Sequence, residues 1–134
     1  MTDPTVRPLT IAQGAYFAAT GVWPLVHMRS FEAVTGPKAD KWLVRTVGVL
    51  VSVIGGVLVA AGARGKITGE VAGLAIGSAV GLGLIDTVYA TRGRISRLYL
   101  ADAALEAAIA AGWAAALAGG APAAGSDATR SARR

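Results

Sequence analysis

LYLADAALEAAIAAGWAAAL, Leu98 to Leu117, has the length and apolar content of a bilayer-crossing helix, yet it carries Asp102 and Glu106 one helical turn apart. On the lenient insertion scale, an acid such as Asp at the centre of such a helix costs about 2.5–3.5 kcal/mol, whereas each Leu or Ile contributes only about −0.5 kcal/mol. Leu98, Leu100, Leu105, Ile109 and Leu117 barely offset two acids. The segment therefore inserts only alongside partner helices, with its acids turned toward them. It predicts a helical bundle in a membrane, with Asp102 and Glu106 as the leading functional candidates.

Three further apolar runs complete the pattern: Leu9 to Met28, Trp42 to Ala63 and Val71 to Ala90. Each approaches the roughly 20 residues that cross about 30 Å of hydrocarbon. The expectation is an all-α bundle of four transmembrane helices over residues 1–118, with helices at about 9–28, 42–63, 71–90 and 98–117. From 119 to 134 the sequence GGAPAAGSDATRSARR lacks branched apolar and aromatic residues and reads as a flexible tail. The first run has only Arg7 before it and no small-residue cleavage site before the charged loop, so it reads as a retained helix rather than a signal peptide. The second run is expected to open at Pro37, with Thr35 or Gly36 as its N-cap.

Composition agrees with this class. The chain of 134 residues is 54% hydrophobic, 16% charged and +5 in net charge, with no cysteine. Disulfides, thiolate chemistry and most zinc sites are thereby excluded. The basic residues fall in short clusters between apolar runs, a membrane-orientation pattern and not a nucleic-acid face. Arg29, Lys38, Lys41, Arg45, Arg92, Arg94 and Arg97 lie in or beside two loops, and the opposite side holds Arg7, Arg64 and Lys66 with the distal Arg130, Arg133 and Arg134. The first set marks the cytoplasmic side and places both termini outside. Trp23, Trp42, Tyr89 and Tyr99 fall near the same interface, as an aromatic belt requires.

Two kinds of side-chain pattern bear on function. Gly69, Gly73, Gly77 and Gly81 repeat every four residues and predict a close helix–helix contact; Gly48, Ser52, Gly56 and Ala60, and Ala103, Ala107, Ala111 and Ala115, repeat the spacing. By register, His27, Arg45, Asp86 and Asp102 fall within about one turn of the cytoplasmic interface, with Glu106 about 6 Å deeper. Arg45 either pairs with Asp86 or Asp102 to fix helix order or joins them and Glu106 in a proton- or cation-binding network. His27 reads as an interfacial residue or a relay, and Pro24 as a packing residue or a gating hinge. The loop fragment Thr35, Gly36, Pro37, Lys38 lacks the glycine spacing of a phosphate loop, whereas Arg29, Phe31, Val34 and Lys38 read as an interfacial segment on anionic lipid.

TGVWPLVHMRSFEAVTGPKADKWLVRTVG, with IDTVYA closing the third run and RISRLYLADAALE opening the fourth, resembles a group of small uncharacterised bacterial four-helix integral membrane proteins over about residues 14 to 113. The resemblance implies a bacterial inner-membrane protein and supplies neither a substrate nor a catalytic residue. Small multidrug transporters share the size and helix count, but their hallmark glutamate lies in the first helix, which has none here. No nucleophile with a base and no metal cluster is visible, so no enzymatic activity and no cofactor are expected. The expected partners are the lipid bilayer and a second copy or another membrane protein. The leading expectation is a structural or accessory membrane protein assembled through small-residue faces and an ion network. The alternative is a small proton- or cation-coupled transporter or channel using Glu106 and Asp102.

Overall fold

A computed structural model describes residues 3–119. Five helices follow one another: α1 Val6–Val26, α2 Met28–Thr35, α3 Lys41–Arg64, α4 Gly69–Thr91 and α5 Leu98–Gly119, with no strand among the described residues. α3, α4 and α5 are long and apolar enough to cross a membrane, which supports a membrane protein. α1 lies outside that set despite its 21 residues. Arg7, Thr10, Gln13 and Thr20 dilute its apolar content. Most of the expected tail, from 120 onward, lies outside the described residues, as do Arg130, Arg133 and Arg134.

The helix ends follow local chemistry. Gly65 has φ 64° and closes α3, its N–H donating to the Gly62 carbonyl at 3.1 Å while the Lys66 N–H donates to the Ala61 carbonyl at 2.9 Å. Gly93, φ 70°, ends α4 in the same way through Gly93 N–H to Ala90 and Arg94 N–H to Tyr89. Paired bonds of this kind satisfy carbonyls at a helix end, and they need a residue that enters the left-handed region without steric penalty. α4 starts at Thr68, whose hydroxyl accepts from the Val71 N–H. The expected start of the second span is corrected: α3 begins at Lys41 with Asp40 as N-cap. Thr35 and Gly36 instead close α2, and the intervening loop absorbs Pro37.

α1 and α3 run antiparallel along a seam of glycines. A Cβ at Gly14 would stand 2.7 Å from the Gly55 carbonyl oxygen, and one at Gly21 would stand 2.7 Å from the Gly48 carbonyl oxygen. Gly62 faces Ile11 one step further along the seam, where the Arg7 guanidinium donates to the Gly62 and Ala63 carbonyls at 2.9 and 3.0 Å. A cation at those carbonyls also meets the negative end of the α3 dipole. Gly14 and Gly21 are seven residues apart, as are Gly48, Gly55 and Gly62. A seven-residue repeat drifts by only about 20° per step, so it keeps one face on one partner, whereas a four-residue step rotates by about 40°.

α4 and α5 form the second pair. α4 contributes Ala72, Ala75, Ala79, Asp86 and Ala90 to the buried surface, and α5 contributes Ala103, Glu106, Ile109, Trp113 and Ala116. The acids of α5 therefore share the inward face with Ile109 and Trp113, as expected, while Ala107, Ala111 and Ala115 point outward. The α1–α3 and α4–α5 connections meet at one end of the bundle. Gly36 lies beside Ser96, and the Lys38 ammonium stands 4.9 Å from the centre of the Tyr99 ring.

The α2–α3 loop is pinned by Glu32. Its Oε1 accepts from the Lys38 backbone N–H at 2.9 Å, and its Oε2 is 3.5 Å from the Lys41 ammonium. The Lys38 N–H foremost, with Lys41 and Lys38 charge behind it, holds this carboxyl below its ordinary value of 4.5. A lowered folded value means that the contact stabilises the loop above the unfolded pKa and is lost as pH falls through the folded one. Hydrogen exchange at the Lys38 amide, corrected for its intrinsic rate, is expected to be protected at pH 6 and to lose that protection toward pH 3. Unchanged protection at pH 3 would mean that the carboxylate does not hold the loop.

Candidate proton and cation site

Three carboxyl groups converge between α4 and α5. Glu106 is 1% exposed and Asp86 7%, and Asp102 is half-buried one turn above Glu106. Asp86 stands about one turn along α4 from Gly83, the residue that faces Glu106. Gly83 permits the approach: a Cβ there would lie 3.2 Å from the Glu106 Cβ. Neither Asp86 Oδ2 nor Glu106 Oε2 has a hydrogen-bond partner. A bare carboxylate buried without a partner is strongly disfavoured, so such groups hold a proton or take a cation. Among the described residues no group of three or more His, Asp or Glu has the geometry to hold a metal ion.

Asp102 is the member that reaches open space. It lines a cleft of about 290 Å³ between α1, α2 and the start of α5, whose walls include Tyr16, Trp23, Phe31, Tyr99 and Leu105. The cleft exists because α2 folds back over the end of α1. His27 ends α1 and caps α2, its Nδ1 accepting from the Ser30 N–H at 3.1 Å. The Trp23 indole then donates to the Ser30 hydroxyl at 2.8 Å, and the Trp23 and Phe31 rings meet edge to face at 5.5 Å. Phe31 and Val34, expected to touch lipid, line this cleft, and Val34 also stays 51% exposed. α2 is amphipathic, and Phe31 on its apolar side packs inward against Trp23.

Below the acids sits a polar clasp. The Gln13 carboxamide of α1 donates to the Ala75 carbonyl of α4 at 2.8 Å, and its oxygen accepts from the Trp113 indole of α5 at 2.8 Å. All three residues are 1% exposed or less. One side chain thus ties the first helix pair to the second through two satisfied buried bonds. Sequence reading passed over Gln13 and Gly83. The signals available were a lone carboxamide within an apolar run, and a glycine in phase with Ala79, Asp86 and Ala90.

The other expected site residues are placed elsewhere. Arg45 is exposed on α3 and forms no ion pair; Lys41 with Glu32 is the one salt bridge among the described residues. Arg45 thus makes neither of the expected pairings, with Asp86 or with Asp102. His27 is exposed and serves as a cap rather than as a member of the carboxyl group. Pro24 is buried in the last turn of α1 against Gly48, which fits packing and not a mid-helix hinge. Gly69, Gly73, Gly77 and Gly81 are exposed, and a Cβ at any of them would meet nothing within 4 Å. The close contact expected of them is made by α1 and α3 instead.

Comparison of the chain with family models, curated proteins and solved structures finds no match.

Proposed function

We propose that this chain is a four-helix integral membrane protein of a bacterial inner membrane that passes a proton or small cation through the group formed by Asp102, Glu106 and Asp86. α3, α4 and α5 supply three spans, and α1 supplies the fourth because its glycine seam holds it at the depth of α3. Both termini lie outside in this reading. It is supported by the exposed basic residues around the α1–α3 and α4–α5 connections, including Arg29, Lys41, Arg92, Arg94 and Arg97.

One observation carries the reading: Glu106 is fully buried with an oxygen that has no partner and no base beside it. An ion network that merely fixed helix order would pair these acids with a cation, and the salt bridge that exists is spent at the loop between Glu32 and Lys41. The measurement is proton and cation flux driven by a pH gradient in proteoliposomes, for the wild type and for Glu106→Gln. Wild-type flux is expected, with the folded Gln variant at the level of empty vesicles. Equal flux in both, or none in either across several cations, rejects the reading.

The exposed stripe Gly69, Gly73, Gly77 and Gly81 favours a second reading, an accessory protein assembled through α4 with a second copy or a membrane partner. Under it, Gly77→Leu lowers the oligomer seen by chemical cross-linking in membranes and leaves monomer stability unchanged.

A further inference from the structure

The cleft above the carboxyl group has a lining that selects one kind of ligand. Four of its side chains are aromatic, and Asp102 is the acid among its lining residues. Aromatic faces attract cations through their quadrupole, most strongly where water is excluded, and a carboxylate supplies the opposite charge. An anion would meet Asp102 and be repelled. A neutral apolar molecule would cover that carboxyl without pairing it.

The chain already holds a cation against these walls. The Lys38 ammonium lies 4.9 Å from the centre of the Tyr99 ring and 5.8 Å from that of Phe31, and its hydrogen bond goes to the Thr35 carbonyl at 3.1 Å. Phe31, Thr35 and Tyr99 all line the cleft, and Lys38, which does not line it, stands beside it as a tethered cation on rings that a free one would also use. The cleft volume of about 290 Å³ sits at the lower end for small-molecule sites and suits a ligand of one ring or a few alkyl groups.

We propose that the cleft beneath α2 binds a small organic cation, an alkyl- or aryl-substituted ammonium, between its aromatic walls and the Asp102 carboxylate, with Lys38 as an intramolecular stand-in on the Phe31 and Tyr99 rings. The proposal rests on the reading of Asp102 as the outer member of the carboxyl group and names the cation that group would handle. Binding at Asp102 places positive charge about one helical turn above Glu106, where it bears on the proton or cation held there.

Phenyltrimethylammonium and its uncharged isostere tert-butylbenzene form the test pair, since they differ in charge and hardly in shape. Binding to the full chain in lipid nanodiscs is followed at the Trp23 indole N–H resonance, whose hydrogen bond to Ser30 borders the cleft. The cation is expected to shift this resonance saturably, with the isostere binding at least about 10-fold more weakly. Asp102→Asn is expected to weaken the cation by a similar factor, and Lys38→Gln to tighten it. Equal binding of the isostere, or full affinity in folded Asp102→Asn, overturns the proposal; weaker binding in Lys38→Gln overturns the stand-in role. The isostere comparison uses wild-type protein and therefore stands even where a variant fails to fold. Because the titration is at equilibrium, binding without flux and flux without binding are separate results, so this proposal and the transport reading fail independently.

Discussion

Gly55→Ala is expected to drive α1 and α3 apart, while Gly56→Ala, one residue along the same helix, leaves the protein at least as stable. A Cβ at Gly55 would stand 2.6 Å from the Gly14 carbonyl oxygen and closer still to the Ala18 nitrogen. Both are backbone atoms in a helix, so relief requires moving a helix and not a side chain. Overpacking of this kind costs about 1–3 kcal/mol, and more where neither backbone can yield. A Cβ at Gly56 would meet nothing within 4 Å, and replacing a helical glycine with alanine is worth about 0.5–1 kcal/mol in its own right. Reversible unfolding in mixed micelles measures both. Equal losses at the two positions would show that α3 presents a different face to α1.

The second large effect is at the clasp. Trp113→Ala removes a fully buried indole and is expected to cost about 3–5 kcal/mol, whereas Trp113→Phe keeps an aromatic ring and gives up the bond to Gln13 with part of the buried volume, about 1–3 kcal/mol. Gln13→Leu strands the Trp113 N–H in the same way. The double variant Gln13→Leu, Trp113→Phe leaves neither partner orphaned, so its loss is expected to be smaller than the sum of the two single losses. Additive losses would mean that the two side chains do not act as a unit.

Much of this architecture is legible in the amino-acid order, and the remainder has definite physical causes. The long apolar runs place α3, α4 and α5 to within a few residues, because hydrocarbon thickness fixes their length. The inward face of α5 follows from the expense of Asp102 and Glu106 in lipid, and Glu106 is indeed buried. The packing faces are harder to find because small residues are frequent, and spacing alone does not name a partner. The four-residue stripe on α4 is conspicuous and unpartnered among the described residues; the seven-residue sets on α1 and α3 are less conspicuous and form the seam. Arg45 shows the limit of register. By register its depth matches the acids, yet it is exposed and makes no ion pair with them, because register along a helix does not fix the face on which a residue stands.

The pairing of helices also sets the order in which the protein can be made. α1 and α3 emerge early, and their seam lets them associate without anything that follows. α5 is the last of the five described helices to emerge and the least apolar of the three that could cross a membrane, while its receiving surfaces, Gly83 on α4 and Gln13 on α1, have by then been synthesised. A nascent chain halted after α4 would present Asp86 and the Gln13 amide to the bilayer without Glu106 or Trp113 beside them. Arrival of α5 is thus the step that covers Asp86 and gives the Gln13 carboxamide its indole partner.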